Sequence, residues 1–287
     1  MALGPIPIKT TAATLLAAAV VGMAATPSGA QPQRVVSMNV CTDQLAMLIA
    51  EEGQLHSVSY LASDPGTSAL ADEAGRYVVN HGLAEEIFLM RPDLVIAGTF
   101  TTRATVELLR RLGFRVEEFA PESSFDDVRA NIARMGDLLG RQDRASDLVA
   151  EIDAGLAALQ ADAPEGRTVA LYYANSYTAG AGTLADAAVA AAGLSNLGET
   201  LGIAGTAMLP LELLVLAEPD LVAGGDLRYD APALAYQNFS HPAYKALAAK
   251  AGVVSLPGKY TVCGAPFTLE AARMLQDAAR NTPDRPR

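Results

Sequence analysis

The side chains of this sequence that could do chemistry point to holding a molecule rather than transforming one. Cys41 and Cys263 are the only cysteines in 287 residues, and there is no Trp. Each cysteine lies in a loop that follows a short β-rich run, and the loops in matching positions carry rings and cations. The first half of the chain offers Cys41, Thr42, Tyr60, Phe100, Thr102 and Arg103; the second offers Tyr177, Arg228, Tyr229, Tyr260 and Cys263. Rings give apolar contact, each Tyr adds a polar tip, and Arg pairs with carboxylates or stacks on planar groups. A large, flat, partly anionic metal chelate suits such a surface. In an oxidising compartment the two cysteines would form one disulfide and pin the parts that carry them. Left free, both thiols could reach a ligand's metal.

Other chemistries lack their residues. A dedicated site for a bare metal ion needs clustered His and carboxylate ligands, whereas His56, His81 and His241 are scattered with no His-x-His spacing and read as structural. A hydrolase would want a Gly-x-Ser-x-Gly elbow, and a nucleotide-binding loop a Gly-Lys-Ser or Gly-Lys-Thr; neither occurs. The formal net charge of −11 argues against a nucleic-acid partner.

The elements that must position these residues are announced by a phrase that occurs twice. Glu85-Glu-Ile-Phe-Leu-Met-Arg-Pro92-Asp-Leu-Val returns as Glu212-Leu-Leu-Val-Leu-Ala-Glu-Pro219-Asp-Leu-Val, 127 residues on (212 minus 85). That spacing is too long for a solenoid repeat of roughly 20–50 residues. It implies two similar lobes, each with a short helix running into a buried strand, and a cleft between them. Strand-like runs at Arg34–Met38, Leu55–Tyr60, Leu94–Ala97, Arg115–Phe119, Thr168–Tyr173 and Val253–Leu256 alternate with helical patterns. Thr42 or Asp43 caps a first helix whose apolar stripe includes Leu45, Leu48 and Ile49, and Asp143–Ala161 forms a long amphipathic helix midway. The fold class is α/β: two similar lobes with mostly parallel sheets, joined by one long helix. The lobes are expected over 31–140 and 165–281, with the linking helix in 141–164 and a disordered tail over 282–287.

Residues 1–30 read as an export signal. Lys9 is the only charge before Arg34, Thr11–Ala25 is apolar, and Ser28-Gly29-Ala30 supplies small residues for cleavage. The first Cys is too far on to be a lipidation site. A soluble periplasmic protein, monomeric when free, is the expectation.

In this order, Arg34-Val-Val-Ser37 with its loop, the two Glu/Pro-Asp-Leu-Val units, the long helix and the Ala192-Gly-Leu-Ser-Asn196 turn resemble the periplasmic substrate-binding proteins of ABC importers for cobalamin and iron–siderophore complexes. The resemblance covers nearly all of the chain after residue 30. It implies two α/β lobes bridged by a rigid helix, little closure on binding, and no enzymatic activity or resident cofactor. It also implies that Glu85 and Glu212, one per lobe, dock onto Arg residues of the importer's permease subunits, whose cytoplasmic ATPase drives transport. Glu86 and Glu218 read as ordinary surface charges. The cargo would be an iron–siderophore or a corrinoid, with haem or a bare metal ion as the alternative, and a periplasmic hydrolase as the reading outside transport.

Overall fold

The computed structural model describes residues 1, 4, 31–164, 166–224 and 234–283. The export-signal segment, apart from Met1 and Gly4, and the last four residues of the expected tail lie outside these, as do Arg228 and Tyr229.

In the central strands, successive residues bury against different cores. In the first lobe, β1 (Val35–Ser37), β2 (Leu55–Ser59), β3 (Val78–Asn80), β4 (Leu94–Gly98) and β5 (Val116–Phe119) form a parallel sheet in the order β3-β2-β1-β4-β5. Leu94 and Ile96 point to one core while Val95 and Ala97 point to another. Both faces are covered, so a near-continuous apolar run is what such a strand requires. The covering helices are α1 (Val40–Ile49), the single turn α2 (Ala71–Ala74), α3 (Ala84–Met90), α4 (Arg103–Arg111) and α5 (Phe125–Leu139). Asn39 caps α1 by accepting from the Cys41 N–H at 3.0 Å. Gly140, at φ 68°, ends α5 in the left-handed conformation that glycine tolerates.

The linking helix is α6 (Gln142–Ala161). Its buried stripe of Ala145, Leu148, Ile152 and Leu159 lies in a core that also takes in Val35, Leu94, Ile132, Leu171, Leu221 and Leu275. One continuous core thus runs under both lobes, and they are fused along the helix rather than hung from it.

The second lobe contains β6 (Thr168–Leu171), β7 (Tyr177–Ala179), α7 (Leu184–Ala191), β8 (Ser195–Asn196), α8 (Leu197–Thr200), β9 (Thr206–Met208), α9 (Leu211–Ala217), β10 (Leu221–Gly224), α10 (Gln237–Ser240), α11 (Pro242–Ala248), β11 (Gly252–Ser255) and α12 (Thr268–Asn281). Its parallel sheet has the order β11-β10-β6-β8, and β7 and β9 pair antiparallel beside it. The small hairpin-like pair and the helices α10 and α11 have no counterpart in the pattern read from sequence. The β7 and β9 strands are three residues each, too short for an alternation to register.

The doubled phrase has a structural reason. Both α3 and α9 end on a left-handed residue, Arg91 (φ 50°) and Glu218 (φ 45°), before the Pro. The Asp that follows then clamps the start of the lobe's first strand. Asp93 accepts from the backbone N–H groups of Gln33 (2.6 Å) and Arg34 (3.0 Å), and Asp220 from that of Thr168 (2.8 Å). Hydrogen bonds to a charged acceptor contribute about 1.5–3 kcal/mol each, and less where water competes. We expect Asp93→Ala to cost about 1–2 kcal/mol in urea unfolding and Asp220→Ala about 1 kcal/mol. No change in midpoint for either would remove the clamp from the account.

Candidate functional site

Three loops from the first lobe meet one from the second, all at the carboxyl ends of strands. The loop after β11 reaches across: Cys263 is disulfide-bonded to Cys41 with Cα atoms 5.0 Å apart, and the Gly264 N–H donates to Glu122 Oε2 at 3.2 Å. A Cβ on Gly258 would stand 4.0 Å from the Gly66 carbonyl oxygen. The carboxyl edges of the two sheets therefore face one cleft, stitched at one end. In open parallel sheets ligands collect at this edge, where the strand order reverses. That point lies between β1 and β4 in the first sheet and around β6 in the second.

Two of the reversal loops fix each other. A Cβ on Gly98, at the end of β4, would approach the Asn39 side chain to 3.0 Å, so this glycine lets β4 pack onto the cap of α1. Thr42 is buried and turned away from the cleft. Its hydroxyl donates to the Asn39 carbonyl at 3.0 Å and lies 2.8 Å from Ser37 Oγ. The reason is register. Capping by Asn39 rather than Thr42 or Asp43 starts α1 earlier and puts Thr42, Leu45, Ala46 and Ile49 on one inward face. Thr42 thus supports the rim and offers no ligand surface, correcting the expectation drawn from sequence.

Exposed rings form the rim. Tyr60, at the end of β2, is 53% exposed, Phe100 in the loop after β4 86%, and Tyr177 at the start of β7 42%. Thr102 and Arg103 are exposed at the start of α4. Tyr260 sits apart from these. It is half-buried under Lys259 and lines a 470 Å³ cavity with Pro65, Gly66, Pro257, Glu270 and Met274, at the seam between the lobes. Arg228 and Tyr229 fall in the loop outside the described residues.

The structure adds a residue the sequence pattern missed. His81, just beyond β3, stacks on Tyr60 with ring centroids 5.6 Å apart and planes 19° from parallel. Glu86 holds it: Oε1 lies 3.1 Å from Nδ1 and Oε2 accepts the His81 backbone N–H at 2.7 Å. That backbone hydrogen bond is the main reason the Glu86 carboxyl is held below its usual range. With Nδ1 donating to a carboxylate, Nε2 is left as an acceptor or metal ligand. Among the described residues no group of three or more His, Cys, Asp or Glu could hold a bare metal ion.

Beneath Tyr60 lies a buried acid. Asp43 Oδ2 accepts from both the N–H (3.1 Å) and the hydroxyl (2.5 Å) of Ser59, while Oδ1 has no hydrogen-bond partner among the described residues. Desolvation outweighs these bonds and pushes its pKa up to about 6 from 3.8. A folded-state pKa above the unfolded one favours the native state most below the unfolded value. The advantage fades as pH rises through about 6. Two units correspond to about 3 kcal/mol as an order of magnitude. We expect stability to fall between pH 4 and pH 7 in the wild type and this slope to flatten in Asp43→Asn, as read by urea unfolding at each pH. Parallel pH profiles for the two proteins would show that Asp43 does not titrate there.

The model of the family described as periplasmic binding protein matches residues 35–256, from the first strand of one lobe to the end of the last strand of the other. The chain belongs to the periplasmic binding protein family. This periplasmic binding protein is 29% identical over 205 residues to a cobalamin-binding protein of Halobacterium salinarum, an alignment covering 68% of this chain and 54% of the relative. It thus spans about half the length of the curated relatives it matches. Among solved structures it is similar to the periplasmic heme-binding protein RhuT of Roseiflexus sp. RS-1, with TM-score 0.67 and 22% identity over 86% of this chain and 99% of that one. It is also similar to the periplasmic vitamin B12-binding protein BtuF of Vibrio cholerae, with TM-score 0.63 and 18% identity over 87% of this chain and 97% of that one. At these identities the likeness is one of fold: two lobes, parallel sheets and a bridging helix. No helix among the described residues is long and apolar enough to cross a membrane.

Proposed function

We propose that this protein is the solute-binding component of an ABC importer, which captures a flat metal chelate in the periplasm and hands it to the membrane permease. The carrying observation is the Tyr60–His81 pair on the cleft rim. It offers an exposed ring face and an imidazole whose Nε2 is free of Glu86. Phe100 and Tyr177 extend the apolar rim. This combination favours a chelate with a planar face and an accessible axial position, of corrinoid or haem type, and the cobalamin-binding relative supports the same class. Exposed Arg103 favours a second reading, an anionic ferric siderophore. Release into the permease requires no bond-making by the protein, and ATP is hydrolysed by the importer's own subunit. Glu85 and Glu212, both exposed near helix starts, are the docking acids in this reading.

Thermal melting of the protein lacking residues 1–30, against cobalamin, cobinamide, haem and ferric siderophores, tests the proposal. A carrier of a flat chelate melts higher with one tetrapyrrole, increasingly so as its concentration rises. A shift confined to siderophores would move the cargo to the second reading, and none with any chelate would defeat the carrier reading.

A further inference from the structure

The two copies of the repeated unit can be compared position by position, because each residue of α3 has a partner 127 positions on in α9. Most matched positions between them serve the fold. Ile87 and Leu214 are wholly buried, Pro92 and Pro219 follow the left-handed turn, Asp93 and Asp220 clamp the first strand, and the Leu-Val pairs are core strand residues. Other positions have drifted: exposed Phe88 matches half-buried Val215, and exposed Arg91 even reverses charge to Glu218.

Two exposed positions have not drifted. Glu85 matches Glu212, and Leu89 matches Leu216. The two leucines are 77% and 79% exposed, among the most solvent-accessible apolar side chains of the described residues. Neither Glu carboxylate has a hydrogen bond or ion pair among the described residues. In each helix Glu and Leu are four residues apart and so share one face. A first-turn acid is favoured by the helix dipole in both copies, but among the described residues nothing accounts for a bare leucine repeated on both lobes. The parallel topology also places the starts of α3 and α9 at the carboxyl edges of the two sheets, one on either side of the cleft.

We infer that Leu89 and Leu216 are paired apolar anchors which, with Glu85 and Glu212, dock this protein onto a partner presenting two equivalent sockets. Each socket combines an apolar pocket with an Arg or Lys beside it. The charges set orientation and encounter rate, while the buried leucines slow dissociation. The inference rests on the importer reading for the partner's identity, a permease of two like subunits straddling the cleft. It stands apart from that reading in what it assigns to the leucines.

The test places a photo-crosslinking residue, p-benzoylphenylalanine, at position 89, at position 216, or at exposed Leu112 as control, in the full chain expressed in the cells that make it. Adducts are identified by mass spectrometry. Positions 89 and 216 are expected to capture the same membrane permease subunit, and position 112 not to. The double variant Leu89→Asn/Leu216→Asn is expected to bind the permease at least tenfold more weakly while its chelate-induced melting shift is unchanged. If 89 and 216 capture one common protein that is not a permease, the docking surface stands and the importer reading falls. If they capture different proteins, or nothing beyond the control, the anchors are overturned, and the melting experiment still decides the carrier reading.

Discussion

Removing the Cys41–Cys263 link is expected to lower the melting temperature by about 10 °C. The bond spans 222 residues of sequence, so cutting it frees nearly the whole chain in the unfolded state. Loop-closure entropy for a ring of that size gives about 5 kcal/mol, and measured native disulfides contribute about 2–5 kcal/mol. In a protein of this size about 1 kcal/mol moves the midpoint by roughly 2–4 °C. Cys41→Ala/Cys263→Ala is the suitable variant, since Cys263 is 1% exposed and a serine there would bury a hydroxyl. The effect should be on stability more than on lobe spacing. The shared core under α6 and the Glu122–Gly264 hydrogen bond still hold the lobes together when the sulfurs part. Burial holds the Glu122 carboxyl above its usual range, favouring its neutral form, and the hydrogen bond from Gly264 strengthens when the acid ionises. Two controls frame the result. Unfolded, unreduced protein should titrate no free thiol, and a reductant should leave the melting curve of the double variant unmoved. A shift below about 2 °C would mean that the closed loop is held by other contacts even when unfolded.

Much of this architecture could be read from residue order because the repeated unit is dictated by backbone needs. A Pro cannot continue a helix, and an Asp next to it is placed to meet strand N–H groups, so Pro-Asp-Leu-Val marks helix end and strand start in both lobes. The long helix was equally plain, since Leu148, Ile152 and Leu159 fall on one stripe. The site was harder, because its members come from loops whose positions depend on strands of three residues. Val78–Asn80 is three residues long, too short for an alternation to register, with two exposed valines and a buried Asn. With that strand unseen, the loop after it was never counted at the cleft edge, and His81 read as a lone structural histidine. Thr42 failed for a different reason: two adjacent residues and Asn39 all make good caps, and only packing decides among them. Glu86 looks like a plain surface charge in the sequence, because the loop that brings His81 to it is set by the same short strand.

Truncating the rim pair is expected to cost the chelate most of its affinity. Tyr60→Ala should weaken binding by about 30-fold and His81→Ala by about 10-fold, the size of central aromatic anchors in other interfaces. Both rings are ordered before any ligand arrives: Ser59, held by Asp43, fixes the backbone entering Tyr60, and Glu86 grips His81 at two atoms. Little side-chain entropy is then lost on binding, which is why these two should outweigh the more exposed Phe100. Their stacking makes the effects non-additive. A double-mutant cycle should give a coupling of about 0.5–1.5 kcal/mol, since removing either ring frees the other. Glu86→Gln separates positioning from contact: it leaves His81 in place as a ring but loosens its tautomer, so affinity should fall only a few-fold. With no Trp in the chain, absorbance titration of the chelate itself is the measurement. A metal-centred absorbance band that shifts on binding to wild type and fails to shift with His81→Ala would place Nε2 at the metal. An unchanged band with weakened binding would leave His81 as a packing surface for Tyr60, and affinity within twofold for Tyr60→Ala would remove the rim pair from the site altogether.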